Sequence, residues 1–128
     1  MTKVVLITGA SSGMGEITAR FLHEHNYTVY AGTRDKNLAT PEIPGVNNIY
    51  LDVSDTNSMV SAVNAIIDNE GKIDVLVNNA GFGLLSSAEE VTDEEIFKQF
   101  DVNVFGLMKM TRTVLPFMRE AKAGVIIN

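Results

Sequence analysis

The chain has 128 residues, 45% of them hydrophobic and 20% charged, a balance that fits one globular domain and excludes a disordered chain. It contains no cysteine, which rules out a disulfide scaffold and thiolate metal centres. Its net charge of −6, without any Lys/Arg cluster, argues against a nucleic-acid partner. No apolar run approaches the roughly 20 residues that a bilayer span needs, so no membrane partner is expected. The amino end lacks a signal-peptide layout, and a cytoplasmic location is expected.

Residues 4–8 are short, β-branched and stopped by Gly9, as a buried strand should be. Residues 14–24 then predict a helix, with Ile17, Phe21 and Leu22 on one side. A second strand is expected at 28–32. The prolines Pro41 and Pro44 make 39–45 a loop, and a third strand is expected at 48–53. Ser54 or Asp55 can cap the next helix, which carries Met59, Val63, Ile66 and Ile67 at helical spacing and ends at Gly71.

Residues 74–78 predict a fourth strand, followed by a turn at Gly81-Phe82-Gly83. Thr92, three residues before Glu95, has the pattern of a capping box. The long helix after it aligns Ile96, Phe97, Phe100, Val104, Leu107, Met108 and Leu115 mostly on one stripe, with a break or bend expected near Asn103 or Gly106. Residues 124–128 open a fifth strand.

Strands alternating with helices indicate an α/β fold with a parallel sheet, and continuous Val/Ile/Leu runs fit strands buried on both faces. The expected architecture is a Rossmann-like, doubly wound parallel sheet forming one domain over residues 1–128. Its ligand crevice belongs at the carboxyl ends of the strands, at the topological switch point.

Thr8-Gly9-Ala10-Ser11-Ser12-Gly13-Met14-Gly15 joins the first strand to the first helix. Glycines let the backbone turn tightly and a ligand approach closely, and the free N–H groups of a helix start favour phosphate. The spacing Gly-x-x-x-Gly-x-Gly differs from the standard dinucleotide motif, and no Lys follows Gly15 to make a Walker loop.

Here the chain resembles the short-chain dehydrogenase/reductase family in its classical branch. The glycine loop, Asp52-Val53, Asn78-Asn79-Ala80-Gly81 and Asn103 are similar to four ordered family motifs. The resemblance implies that Gly9, Ser11, Ser12, Gly13 and Met14 cradle the pyrophosphate and adjacent ribose. It implies that Asp52 accepts from the adenine amino group and that Val53 adds a backbone contact. Asn79, Ala80 and Gly81 would lie along the cofactor, while Asn78 and Gly15 would be architectural. Asn103 would be the catalytic helix Asn, helping to hold a proton-relay water.

Cofactor choice turns on Gly32-Thr33-Arg34-Asp35, where an acid would hold the 2′-hydroxyl of NAD and an Arg would accommodate the 2′-phosphate of NADP. Arg34 can fork onto phosphate oxygens, and Thr33 stands where an acid would repel them, so NADP is favoured over NAD. A one-residue shift in alignment would put Asp35 near the ribose instead. A second basic residue sometimes found in the family's glycine loop is replaced by Ser12.

Hydride transfer to a carbonyl needs a proton donor, which the family provides with Tyr-x-x-x-Lys. Tyr27, Tyr30 and Tyr50 are followed four residues on by Ala31, Arg34 and Ser54, so none begins that motif. The resemblance therefore implies the first half of an oxidoreductase subunit, cut after the fifth strand, binding NADP but inactive alone. The parent's partners would be a small-molecule alcohol or carbonyl substrate and, since relatives pair through the long helix and the next one, a second copy in a homo-oligomer. Two alternatives are a nucleotide-binding regulatory module and a fragment completed in trans. His23 and His25, two apart on a helix, do not face each other, and no metal site is expected.

Overall fold

The computed structural model describes residues 1–128. Five strands form one all-parallel sheet: β1 (Val4–Ile7), β2 (Thr28–Thr33), β3 (Asn47–Tyr50), β4 (Val75–Val77) and β5 (Val125–Ile127). Their order is β3-β2-β1-β4-β5, so the chain reverses its direction of growth at β1. The crevice above β1 and β4 is thus the switch point where such sheets bind ligands.

Alternation of side chains along β1 feeds two separate cores. Val4 and Leu6 point into one with Met59, Val63, Ile66, Leu76, Met110 and Val114. Val5 and Ile7 point into the other with Ala19, Val29 and Ala31. Helix α1 (Gly13–Glu24) covers the second face, while α2 (Thr56–Glu70) and α4 (Leu107–Ala121) cover the first. Leu6 has no exposed surface, and its truncation to Ala would cost roughly 2–5 kcal/mol.

The helix ends follow their sequences. Asp55 caps α2 by accepting from the Asn57 and Ser58 N–H groups, and Gly71 ends it at φ 75°. Thr92 and Glu95 form the expected capping box of α3 (Asp93–Phe100). Between α3 and α4 the chain runs through one π-helical segment, Asp101–Gly106, the irregularity expected near Asn103 or Gly106. Gly106 lets the helix approach β3's exit closely, since a Cβ there would stand 2.9 Å from the Val53 Cβ.

Two expectations need correction. The third strand is shorter than 48–53, because after Tyr50 the chain leaves the sheet to form the crevice floor at Leu51, Asp52 and Val53. Helix α1 packs through Gly15 and Ala19, whereas Ile17 and Phe21 are 68% and 56% exposed. The small residues win the sheet-facing side because they allow close helix–strand contact. The apolar stripe of the long helix is uncovered, as expected of it: Phe97, Phe100, Val104 and Met108 are exposed, and Met110, Val114 and Met118 make the buried side of α4. No helix is long and apolar enough to cross a membrane.

Candidate functional site

The glycine loop rises from β1 and returns as α1. Gly9 adopts φ 62°, and a Cβ there would stand 2.7 Å from the Ala80 Cα, so both backbone conformation and space demand glycine. Gly13 also has positive φ, at 59°, but its missing Cβ would meet nothing within 4 Å. The open space lies where a ligand would approach.

The start of α1 is left uncapped. Ser12 is extended at the N-cap, yet its side chain makes no cap hydrogen bond. The first main-chain bond of the helix is Glu16 N–H to the Ser12 carbonyl at 3.3 Å, which leaves the Gly13, Met14 and Gly15 N–H groups without a protein partner. Both α2 and α3 spend side chains on their corresponding groups. An uncapped N-terminus beside a cleft concentrates partial positive charge and free donors, which suit a phosphate.

The loop is clamped from β4. Thr8 Oγ1 accepts the Asn79 and Ala80 N–H groups at 3.1 and 2.9 Å. Asn79 Nδ2 donates to the Thr8 and Gly9 carbonyls at 3.1 and 3.0 Å. A Cβ on Gly15 would sit 2.5 Å from both that nitrogen and the Gly9 oxygen, so Gly15 makes the clamp possible. Asn78 turns the other way, donating to Thr111 and Asn128.

At the other end, Asp52 Oδ1 accepts the Ser54 N–H at 2.9 Å, and Oδ2 has no partner. Arg34 is exposed and makes no ion pair. Asp35 is committed locally: its carboxylate accepts from Asn37, Ala39 and Thr40 at 2.9–3.2 Å. The Asn37 N–H and its companions hold the carboxyl below the usual Asp range. Arg34 lines the cleft, and Asp35 does not.

These parts enclose a cleft of about 680 Å³. Gly9, Ser11, Ser12, Gly13, Met14, Arg34, Asp52, Val53, Asn79, Ala80 and Gly81 all line it. That volume falls in the range of small-molecule and cofactor sites. Asn103 is not on its wall. Both polar atoms of Asn103 are taken by Phe82: Oδ1 accepts the Phe82 N–H at 2.9 Å and Nδ2 donates to the Phe82 carbonyl at 2.7 Å.

A family model described as short chain dehydrogenase matches residues 3–128. The chain belongs to the short-chain dehydrogenase family. It is 43% identical over 126 residues to a 3-ketodihydrosphingosine reductase of Bacteroides thetaiotaomicron, covering 98% of this chain and 46% of that protein. A short-chain dehydrogenase from Streptomyces avermitilis superposes with a TM-score of 0.87 at 35% identity, over 98% of this chain and 48% of that one. The structure of ElxO with NADP bound superposes at 0.89 with 28% identity, over 98% of this chain and 54% of that one. The chain thus spans about half the length of these relatives.

In this short-chain dehydrogenase chain the three tyrosines lie off the cleft wall. Tyr30 donates to Glu70 Oε1 at 2.8 Å; burial and that bond raise its pKa. The cleft also gathers residues that motif reading did not assign to it: Leu51, Ser54, Lys98 and Val102. Leu51 and Ser54 flank Asp52-Val53 and were legible by adjacency. Lys98 and Val102 come from the helical stretch, one turn apart, and reach the cleft through tertiary packing, with Gly106 close against Val53.

Proposed function

We propose that residues 1–128 are the dinucleotide-binding portion of an NADP-dependent oxidoreductase acting on an alcohol or carbonyl substrate. The observation that carries this is the uncapped start of α1, where the Gly13, Met14 and Gly15 N–H groups are free and Gly13 and Met14 line the cleft. Those donors suit the cofactor's diphosphate, with Ser11 and Ser12 hydroxyls beside them. Asp52 Oδ2 is free to accept from the adenine amino group, and Val53 lies next to it. Asn79, Ala80 and Gly81 form the wall along the remaining length of the dinucleotide.

NADP rather than NAD is supported by Arg34, an unpaired guanidinium at the end of β2 that can fork onto a 2′-phosphate. The nearest acid, Asp35, is turned into its own loop. A bound nicotinamide would supply or accept hydride. The chain's own residues hold and orient the cofactor; no Tyr-x-x-x-Lys occurs in residues 1–128 to give a proton. Asn103 spends one donor and one acceptor of its side chain on Phe82, which fixes its orientation beside the loop where a relay water would be held.

The apolar stripe of α3 and α4 supports pairing with a second copy in the parent protein. An apolar substrate body fits Phe82 on the cleft wall, and the similar Bacteroides protein is named for a sphingoid ketone. Titrating the chain with NADPH, followed by its nicotinamide fluorescence, tests the reading. Saturable binding tighter than for NADH is expected, without steady turnover of added carbonyl compounds; absence of binding would overturn it.

A further inference from the structure

Residues 81–87 run between β4 and the helices outside any strand, so their backbone groups must be satisfied by other means. Two side chains of the helix meet that need. Asn103 exchanges both of its polar atoms with the Phe82 main chain. One turn earlier, Gln99 Oε1 accepts the Leu84 N–H at 2.9 Å. Positions 99 and 103 share a helix face, and they grip residues two apart in the loop.

Phe82 lies between Gly81 and Gly83, and it lines the cleft. Glycines on both sides make its neighbouring torsions soft. An anchor at Phe82 alone fixes where the loop is but leaves its direction free. The second anchor at Leu84 fixes the direction.

We propose that Gln99 is a positioning residue for the cofactor cleft: by holding Leu84 it sets the course of the 81–84 loop and so keeps Phe82 on the wall. The proposal rests on the reading of that cleft as a dinucleotide site. It also makes a chemical distinction. Gln99 uses only its carbonyl oxygen, so a carboxylate can take its place, whereas Asn103 uses donor and acceptor together.

The test compares Gln99→Leu, Gln99→Glu and the unaltered chain by NMR amide exchange and by NADPH titration. Gln99→Leu is expected to speed exchange at Leu84 by about fivefold to tenfold, the loss of one hydrogen bond, and to weaken NADPH binding about threefold. Exchange in β1 should stay unchanged, and Gln99→Glu should restore both readouts. Unchanged exchange at Leu84 in Gln99→Leu would overturn the hydrogen bond. Faster exchange with unaltered NADPH affinity would overturn the positioning role and leave a merely structural contact. If the unaltered chain binds no dinucleotide, the positioning role falls with the cofactor reading, and the exchange data show separately whether Gln99 holds the loop.

Discussion

The carboxamide nitrogen of Asn79 lies 3.0 Å from the main-chain oxygen of Gly9, and this bond ties the end of β4 to the glycine loop. The same nitrogen holds Thr8 at 3.1 Å. Removing it leaves two carbonyls at the mouth of the cleft to water. Asn79→Ala is expected to lower stability by about 1–2 kcal/mol and to weaken NADPH binding. Gly15→Ala should do the same by another route, because its Cβ would collide with Asn79 and Gly9, an overpacking cost of about 1–3 kcal/mol. Urea unfolding of both variants checks the prediction.

Arg34 and its neighbour Asp35 carry opposite expectations. Arg34→Gln should weaken NADPH binding by about tenfold, the scale of one charge-assisted hydrogen bond, and change NADH binding by less than about twofold. Asp35→Asn should leave the ratio of the two affinities as it was, since its carboxylate serves the 35–40 turn. Parallel titrations of each variant with both nucleotides decide this.

Asp74 couples stability to pH. Burial opposes its charge, but the Val4 N–H at 2.7 Å and the Lys72 ammonium at 2.9 Å outweigh that and lower its pKa. A depressed folded pKa stabilises the fold above the unfolded value of about 3.9, and the benefit disappears as pH falls through the folded value. Asp74→Ala is therefore expected to cost about 1–2 kcal/mol at pH 7, with the gap to the unaltered chain closing below about pH 4. Denaturant midpoints measured from pH 7 to pH 3 check the trend.

The uncovered stripe on α3 and α4 predicts self-association. Phe97 is 66% exposed and Met108 61%, and Phe100 lies between them in sequence. Sedimentation velocity at micromolar concentration should show species larger than the monomer. Replacing Phe97 and Phe100 together with Gln should shift the distribution toward monomer while leaving the thermal midpoint within a few degrees.

Much of the sheet was readable from the chain because β1 and β4 are short apolar runs bounded by Gly9 and Asn78. The caps at Asp55, Gly71 and Thr92 were readable because each is a local event within one turn. The exposed face of α1 was not, since periodicity marks an apolar stripe without saying what covers it. Gly15 and Ala19 carry too little hydrophobic signal to announce the buried side of α1. The cleft residues from the glycine loop and β4 were legible as motifs. Lys98, Val102 and Gln99 depended on how the π-helical segment sets the helix against Val53 and the 81–84 loop, a tertiary relationship with no local signature.

The free N–H groups at the start of α1 are proposed to receive a dinucleotide phosphate. Adding NADPH to isotopically labelled chain and following backbone amide shifts by NMR tests it most directly. The largest shifts are expected at Gly13, Met14 and Gly15, with smaller ones at Asn79 to Gly81. Shifts centred elsewhere, or none at saturating NADPH, would contradict it.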